Sequence, residues 1–302
     1  RINGTTLRNF VSFCVNTIYL NVYCFLYAVV CLFRGEGSVF RIAKEVTHMF
    51  NPRIYVVNGS KPVRNGHTMF FMNHTSVADY FLDCFLTGGS SYLSRLLIIF
   101  LCPGPSFCGY LLNFVWFFWK FKKINRNWFT KFMQSKWMHR PNSGCIVYPE
   151  GKISQWDCEN PLKTGVMEVA YNLNCPSQII LTRGKGDIID LKNFILQENG
   201  HITCCVSEVL IPRDYKTKEE WFAKVRSVWK ETYMQMENST EEKEIIAPLP
   251  GVNTDLCEDE KISRSALVYS FCTIVAISAV LYALCTMCPV SNKRLNTSQT
   301  RG

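Results

Sequence analysis

Thr68-Met69-Phe70-Phe71-Met72-Asn73-His74-Thr75-Ser76-Val77-Ala78-Asp79 is the stretch from which the fold can be read. Five apolar or β-favouring residues run into a polar turn that carries His74. Asp79 follows where a new apolar-periodic run begins. The pattern predicts a buried strand ending at His74, a short turn and then a helix. Ser76-Val77-Ala78-Asp79 has the form of a capping box, with Ser76 as N-cap and Asp79 at the third helical position. Residues five apart share no face of a regular helix, so His74 and Asp79 meet only if the histidine sits in the turn and leans over the first helical turn. An aspartate held there fixes one imidazole nitrogen and raises the basicity of the other, as a general base requires. The plainer reading is a hydrogen-bonded structural histidine beside a capping aspartate.

Cys145-Ile146-Val147-Tyr148-Pro149-Glu150-Gly151-Lys152-Ile153-Ser154 is a second apolar strand, which stops at a proline and opens into a Glu-Gly turn. The Asn-His-x-x-x-x-Asp block followed by this strand-Pro-Glu-Gly block resembles the glycerolipid acyltransferase family. That family includes the acyl-CoA-dependent 1-acylglycerol-3-phosphate and lysophospholipid acyltransferases. Lys163-Thr164-Gly165 looks like its Lys-x-Gly segment, and Ile179-Ile180-Leu181-Thr182-Arg183-Gly184 is similar to its fourth block. Gly109-Tyr110-Leu111-Leu112 through Lys120 looks like a degenerate second block. The resemblance covers residues 50 to 212.

The resemblance implies that His74 deprotonates the free hydroxyl of a lysophospholipid or lysophosphatidic acid, which then attacks the thioester of acyl-CoA. Asp79 would orient His74 and stabilise its imidazolium. Asn73, Ser76, Glu150, Gly151, Lys152 and Arg183 are the candidate substrate-binding residues, with Lys185 adding a cation close to Arg183. Backbone N–H groups around Gly151, or a basic side chain, would hold an oxyanion or the phosphate. No metal and no cofactor is expected beyond acyl-CoA as co-substrate. The implied place is the endoplasmic reticulum membrane, with the catalytic domain facing the cytosol.

One departure matters. The family usually has Thr-Arg after Pro-Glu-Gly, and its arginine holds the acceptor's phosphate; here Lys152-Ile153 stand instead. Lys152 replaces the charge as a point and not as a bidentate fork. This tilts the expected acceptor toward a larger lysophospholipid, such as a lysophosphatidylinositol or lysocardiolipin. It also keeps open a non-catalytic membrane lipid-binding or scaffold protein with the acyltransferase fold. A serine esterase is a weak alternative, because no Gly-x-Ser-x-Gly elbow is present.

The 302 residues suffice for one sizeable domain plus membrane attachments. The net charge of +9 is unevenly placed: no carboxylate lies between Asp83 and Glu150, where Arg95, Lys120, Lys122, Lys123, Arg126, Lys131, Lys136 and Arg140 stand. Beside the aromatic run Phe114 to Trp119 this suits a membrane interface, and no nucleic-acid signature competes. The 15 cysteines are scattered without zinc spacing, which favours a reduced compartment and buried thiols. Sequons occur at Asn3, Asn58, Asn73, Asn238 and Asn296; a glycan on Asn73 would block the candidate site.

The expected fold is α/β, a mixed sheet flanked by helices, with N- and C-terminal membrane helices. Residues 1–49 are read as an anchor and connecting helix, 50–237 as the acyltransferase domain, and 238–265 as a charged linker. A transmembrane helix over 266–288 and a tail over 289–302 complete the chain. Phe10 to Phe33 carries no charge and reads as a span or a re-entrant helical hairpin. Asn65-Gly66 signals a hairpin between strands at 53–57 and 68–72. Leu93 to Trp119, broken at Cys102-Pro103-Gly104-Pro105, reads as an embedded or buried helical pair. Trp128 to Met138 reads as a basic amphipathic helix and Lys218 to Glu237 as a long one, with further strands at 145–148, 179–182 and 202–206.

Overall fold

A computed structural model describes residues 4–118, 125–190, 193–240, 242–246, 248–254, 260–262 and 267–268. The helices are α1 (Gly4–Arg34), α2 (Val39–Phe50), α3 (Asp79–Leu86), α4 (Ile98–Leu101), α5 (Pro103–Leu111), α6 (Arg126–Trp137), α7 (Thr164–Asn172), α8 (Lys185–Ile188) and α9 (Lys218–Asn238). The strands of the main sheet are β1 (Arg53–Val57), β2 (Met69–Met72), β3 (Ser91–Arg95), β4 (Val115–Phe118), β5 (Cys145–Val147), β6 (Ser177–Arg183), β7 (His201–Leu210) and β8 (Glu242–Ile245).

These eight strands form one mixed sheet in the order β8-β1-β7-β6-β2-β5-β3-β4. From β6 to β4 all neighbours are parallel. β7 is antiparallel to β6, β1 is parallel to β7, and β8 is antiparallel to β1. β2 lies in the interior of the sheet, which is why all four of its residues are buried and why it reads as an unbroken apolar run.

Period-two alternation sorts the two faces. Met69, Phe71, Cys145, Val147, Ile179 and Leu181 join one core cluster with residues of α6, α7 and α9. Phe70, Met72, Ile146 and Ile180 are equally buried but lie outside that cluster. In α9 the helical spacing of Trp221, Val225, Val228, Trp229 and Met236 buries all five, and Trp221 Nε1 donates to the Met167 carbonyl at 2.9 Å. Burial pushes the Cys205 thiol up to about 11, so it is held as an unreactive thiol.

Several sequence expectations change. β1 and β2 do not form a hairpin: Gly66 takes the positive φ of a turn, but β2 pairs with β5 and β6 while β1 pairs with β7 and β8. Between Leu93 and Phe118 the expected pair of helices is present but short, α4 and α5 meeting at Cys102-Pro103, and the ends of the segment belong instead to two parallel strands, β3 and β4. Short apolar runs rich in aromatic and β-branched residues serve a buried strand as well as a buried helix, and periodicity does not separate the two. Part of the segment read as a charged linker is the edge strand β8.

α1 is one continuous helix of 31 residues, so the re-entrant hairpin is not formed between Phe10 and Phe33. Among the described residues it is the one helix long and apolar enough to cross a membrane, over the 28 residues Leu7–Arg34. The expected C-terminal membrane helix lies outside the described residues, apart from 267–268.

Candidate active site

β2 delivers Asn73 and His74 to the end of the sheet where the strand stops. His74 Nδ1 lies 2.8 Å from Asp79 Oδ2, and that oxygen also accepts the backbone N–H of Thr75 at 2.9 Å and of Ser76 at 3.2 Å. Ser76 Oγ accepts the Ala78 N–H at 3.1 Å. Only half of the expected capping box is made: Asp79 accepts the Ser76 N–H, but Ser76 Oγ takes the Ala78 N–H and not that of Asp79, and the helix begins at Asp79 with Ala78 as its N-cap. Asp79 is 1% exposed and the His74 side chain 26% exposed, so the pair has a buried end and an accessible end. Tyr148 stacks on the imidazole, with centroids 4.4 Å apart and planes at 16°, and restrains its rotation.

A further layer lies behind Asp79. Lys185, fully buried, places Nζ 2.9 Å and 3.0 Å from the two Asp83 oxygens, 3.3 Å from Asp79 Oδ1 and 2.9 Å from the Asn73 carbonyl oxygen. Tyr148 Oη donates to Asp83 Oδ2 at 3.0 Å. Burial pushes the Asp83 carboxyl up to about 7, against the opposing pull of Lys185 and with help from Asp79. Burial works to lower Lys185, but Asp79 and Asp83 overcome it and hold its ammonium above the ordinary lysine range.

His74 opens onto a cavity of about 950 Å³. Its walls are mainly apolar, with Val77, Tyr80, Phe81, Leu97, Ile98 and Phe118 prominent. Arg95, Arg126, Lys152 and Lys163 reach the same space, and among the described residues no carboxylate lines it. Arg95 Nη2 donates to the Gly151 carbonyl at 3.3 Å. Gly151 takes φ +68°, and a Cβ there would run into the Lys163 ammonium, so the glycine admits both the turn and the lysine. Arg126 is committed to Glu168 at 2.6 Å. An apolar chamber with cations and a His–Asp pair at its wall suits a ligand with a greasy tail and an anionic end.

The candidate residues therefore separate. His74, Gly151 and Lys152 line the cavity, and Asp79 stands directly behind His74. Asn73 does not line it: its side chain is turned into β6, where Nδ2 donates to the Thr182 carbonyl and Oδ1 accepts the Thr182 N–H, each at 2.8 Å. At 3% exposure Asn73 has no room for a glycan in the folded chain. Ser76 is spent on its cap and on the Ile189 carbonyl. Glu150, 4% exposed, accepts the His74 N–H at 2.7 Å and the Asn160 amide at 3.0 Å, and its burial raises its carboxyl above the usual range. It braces the two turns against each other. Arg183 leaves the sheet on the side of α9, as its odd-numbered place in β6 dictates, and pairs there with Glu237 at 3.1 Å and Glu242 at 3.7 Å. Lys185, expected near a phosphate with Arg183, is interior instead. Tyr148 and Asp83 carry no motif that would have singled them out.

No protein-family model matches the sequence, and none of the curated proteins matches it. In fold, the chain is similar to the crystal structure of the 1-acyl-sn-glycerophosphate (LPA) acyltransferase PlsC from Thermotoga maritima. The TM-score is 0.54 at 15% sequence identity, and the match covers 76% of this chain and 99% of that one.

Proposed function

We propose that this chain is a membrane-bound O-acyltransferase that moves a fatty acyl group from acyl-CoA to the free hydroxyl of a lysophospholipid or lysophosphatidic acid. The observation that carries the reading is the His74–Asp79 pair at 2.8 Å in the wall of an apolar cavity that also holds four cations. The fold likeness to a lysophosphatidate acyltransferase agrees with it.

Asp79 takes the Nδ1 proton of His74 as its hydrogen-bond partner, which leaves the Nε2 lone pair as the basic site. Nε2 removes the acceptor's hydroxyl proton as its oxygen attacks the thioester carbonyl, and the imidazolium formed is stabilised by Asp79. Collapse of the tetrahedral adduct expels the CoA thiolate, which recovers the proton. The acyl chain occupies the apolar part of the cavity. Arg95 and Lys163, flanking Gly151, hold the acceptor's phosphate and supply the charge that the family's arginine would have given at Ile153. α1 supplies the membrane attachment. Leu97, Phe100 and Leu101 of α4 and its preceding residue, at 61, 80 and 72% exposure, extend the apolar surface beside the cavity.

Acyl transfer from labelled oleoyl-CoA to a panel of lysolipids, with glycerol 3-phosphate included, tests the reading on purified membranes. Transfer to one acceptor that vanishes in His74→Ala supports it and names the substrate. A folded, membrane-inserted protein that transfers to none of them would favour a lipid-binding protein.

A further inference from the structure

A fully buried lysine needs a reason, since removing an ammonium from water is costly unless it is closely paired. Gly184 provides the route inward: it takes φ +90° with the His201 carbonyl where a Cβ would sit, and only glycine fits. The turn then directs Lys185 between α3 and β2. Its Nζ lies on Asp83, one helical turn beyond Asp79, and 3.3 Å from Asp79 Oδ1. That oxygen accepts no hydrogen bond among the described residues, so the ammonium is its counter-charge. Lys185 does not line the cavity and cannot touch a substrate.

Two ionised carboxylates so close to one imidazole would favour its protonated form, and an imidazolium has no lone pair with which to take a proton. One cation between them reverses this. Once Asp83 is ionised, above about 7, the charges of Asp79, Asp83 and Lys185 sum to a single negative charge, of which Asp79 alone is hydrogen-bonded to the ring. The other ionisable groups around His74 are Tyr148, stacked on it, and Glu150, which accepts its N–H. Arg95, Arg126, Lys152 and Lys163 share the cavity with it. Of these only Tyr148 reaches Asp83, through a neutral hydrogen bond, and none brings it a counter-charge.

We propose that Lys185 is a positioning residue for the His74–Asp79 pair, neutralising the second buried carboxylate and holding Asp79 so that His74 stays free to accept a proton. Its meaning rests on the acyl-transfer reading, but its central test does not.

The test compares wild type with Lys185→Met, with Lys185→Met/Asp83→Asn, which leaves neither member of that pair charged, and with Asp83→Asn alone. Ring resonances of isotope-labelled histidine are followed against pH without substrate, His74 being identified by its loss in His74→Gln. In Lys185→Met the His74 ring protonates at higher pH by half a unit or more, about threefold in proton affinity, while in the double variant, which again leaves the single charge of Asp79, it stays close to wild type. In Asp83→Asn, which keeps the cation, it moves the other way. The rising limb of acyl transfer from oleoyl-CoA to lysophosphatidic acid follows the ring, while KM for oleoyl-CoA holds.

A lysine that merely supports the fold would lower the melting temperature and leave both curves in place. If Lys185→Met does not fold, Asp83→Asn decides. An unmoved ring in folded Lys185→Met, or an unmoved or raised ring in Asp83→Asn, overturns the proposal. A shifted ring with no transfer to any acceptor removes the acyl-transfer reading alone. Transfer with an unmoved ring removes this inference alone.

Discussion

Asp79 Oδ2 accepts three N–H donors, from the His74 ring and from the backbones of Thr75 and Ser76, and its whole carboxylate is 1% exposed. One aspartate thus fixes the histidine and the turn that carries it. Closing the turn ahead of α3 and orienting the proposed base are the work of the same carboxylate oxygen.

Asp79→Asn tests that double duty. An amide can keep one of these contacts as acceptor, but its NH2 group would meet the Nδ1 proton or force the other tautomer. Acyl transfer should fall by about 10³-fold or more, as wrong-tautomer variants of other His–Asp pairs do. The melting temperature should fall by only a few degrees, because the amide oxygen keeps part of the turn's contacts. A rate within tenfold of wild type would show that His74 is not oriented by Asp79.

Arg95→Ala tests the anion end of the cavity. Arg95 is exposed, so its removal should leave stability within about 0.5 kcal/mol. The loss of one charge-assisted contact should raise KM for a phosphate-bearing acceptor by roughly tenfold, about 1.4 kcal/mol, with little change for acyl donor length. Lys163→Ala should act in the same direction. Raising the salt concentration should weaken acceptor binding in wild type more than in Arg95→Ala. Equal KM values for wild type and both variants would remove the phosphate role from this pair.

The His74–Asp79 relation was legible because it is local: five residues of spacing decide it, and a strand-turn-cap pattern states where each must sit. The strand β2 and the helix α9 were legible for the same reason, each carrying its own period. Lys185 and Asp83, 102 residues apart, meet only through the sheet order, and nothing beside Lys185 in the sequence marks it as interior. Arg183 shows the converse failure. Its place at the end of a strand was foreseen, but which face it takes depends on the register of β6 against β7, which one strand alone does not reveal. The strands β3 and β4 were lost to helix because apolar runs this short have no period to read.

Asn73 sits beside His74 in the motif, yet its geometry argues for a strand clamp. Its amide satisfies both backbone groups of Thr182 across to β6. Asn73→Ala leaves a buried N–H and a buried C=O without that partner and should cost about 2 kcal/mol or more. KM for either substrate should hold in whatever fraction remains folded. Urea unfolding and steady-state kinetics on the same preparation separate the two. Full stability with a raised KM would return Asn73 to the substrate-binding residues.

The pH dependence of stability should carry the mark of Asp83. Burial raises its folded carboxyl to about 7, while an unfolded aspartate titrates near ~3.9. Between those values the folded chain holds a proton that the unfolded chain has released. Stability from this group is therefore greatest at the acid end of the window, declines as pH rises, and is fully lost above about 7. Lys185 adds no slope here, because its raised affinity keeps it charged in both states throughout the window, and its contribution is lost only far to the alkaline side. Asp83→Asn removes the group that titrates. Urea midpoints measured in detergent micelles at pH 5.5 and pH 8 should differ less in Asp83→Asn than in wild type. Equal differences would mean that Asp83 stays ionised across the range, with Lys185 holding it so; burial would then be the weaker of the two forces on that carboxylate.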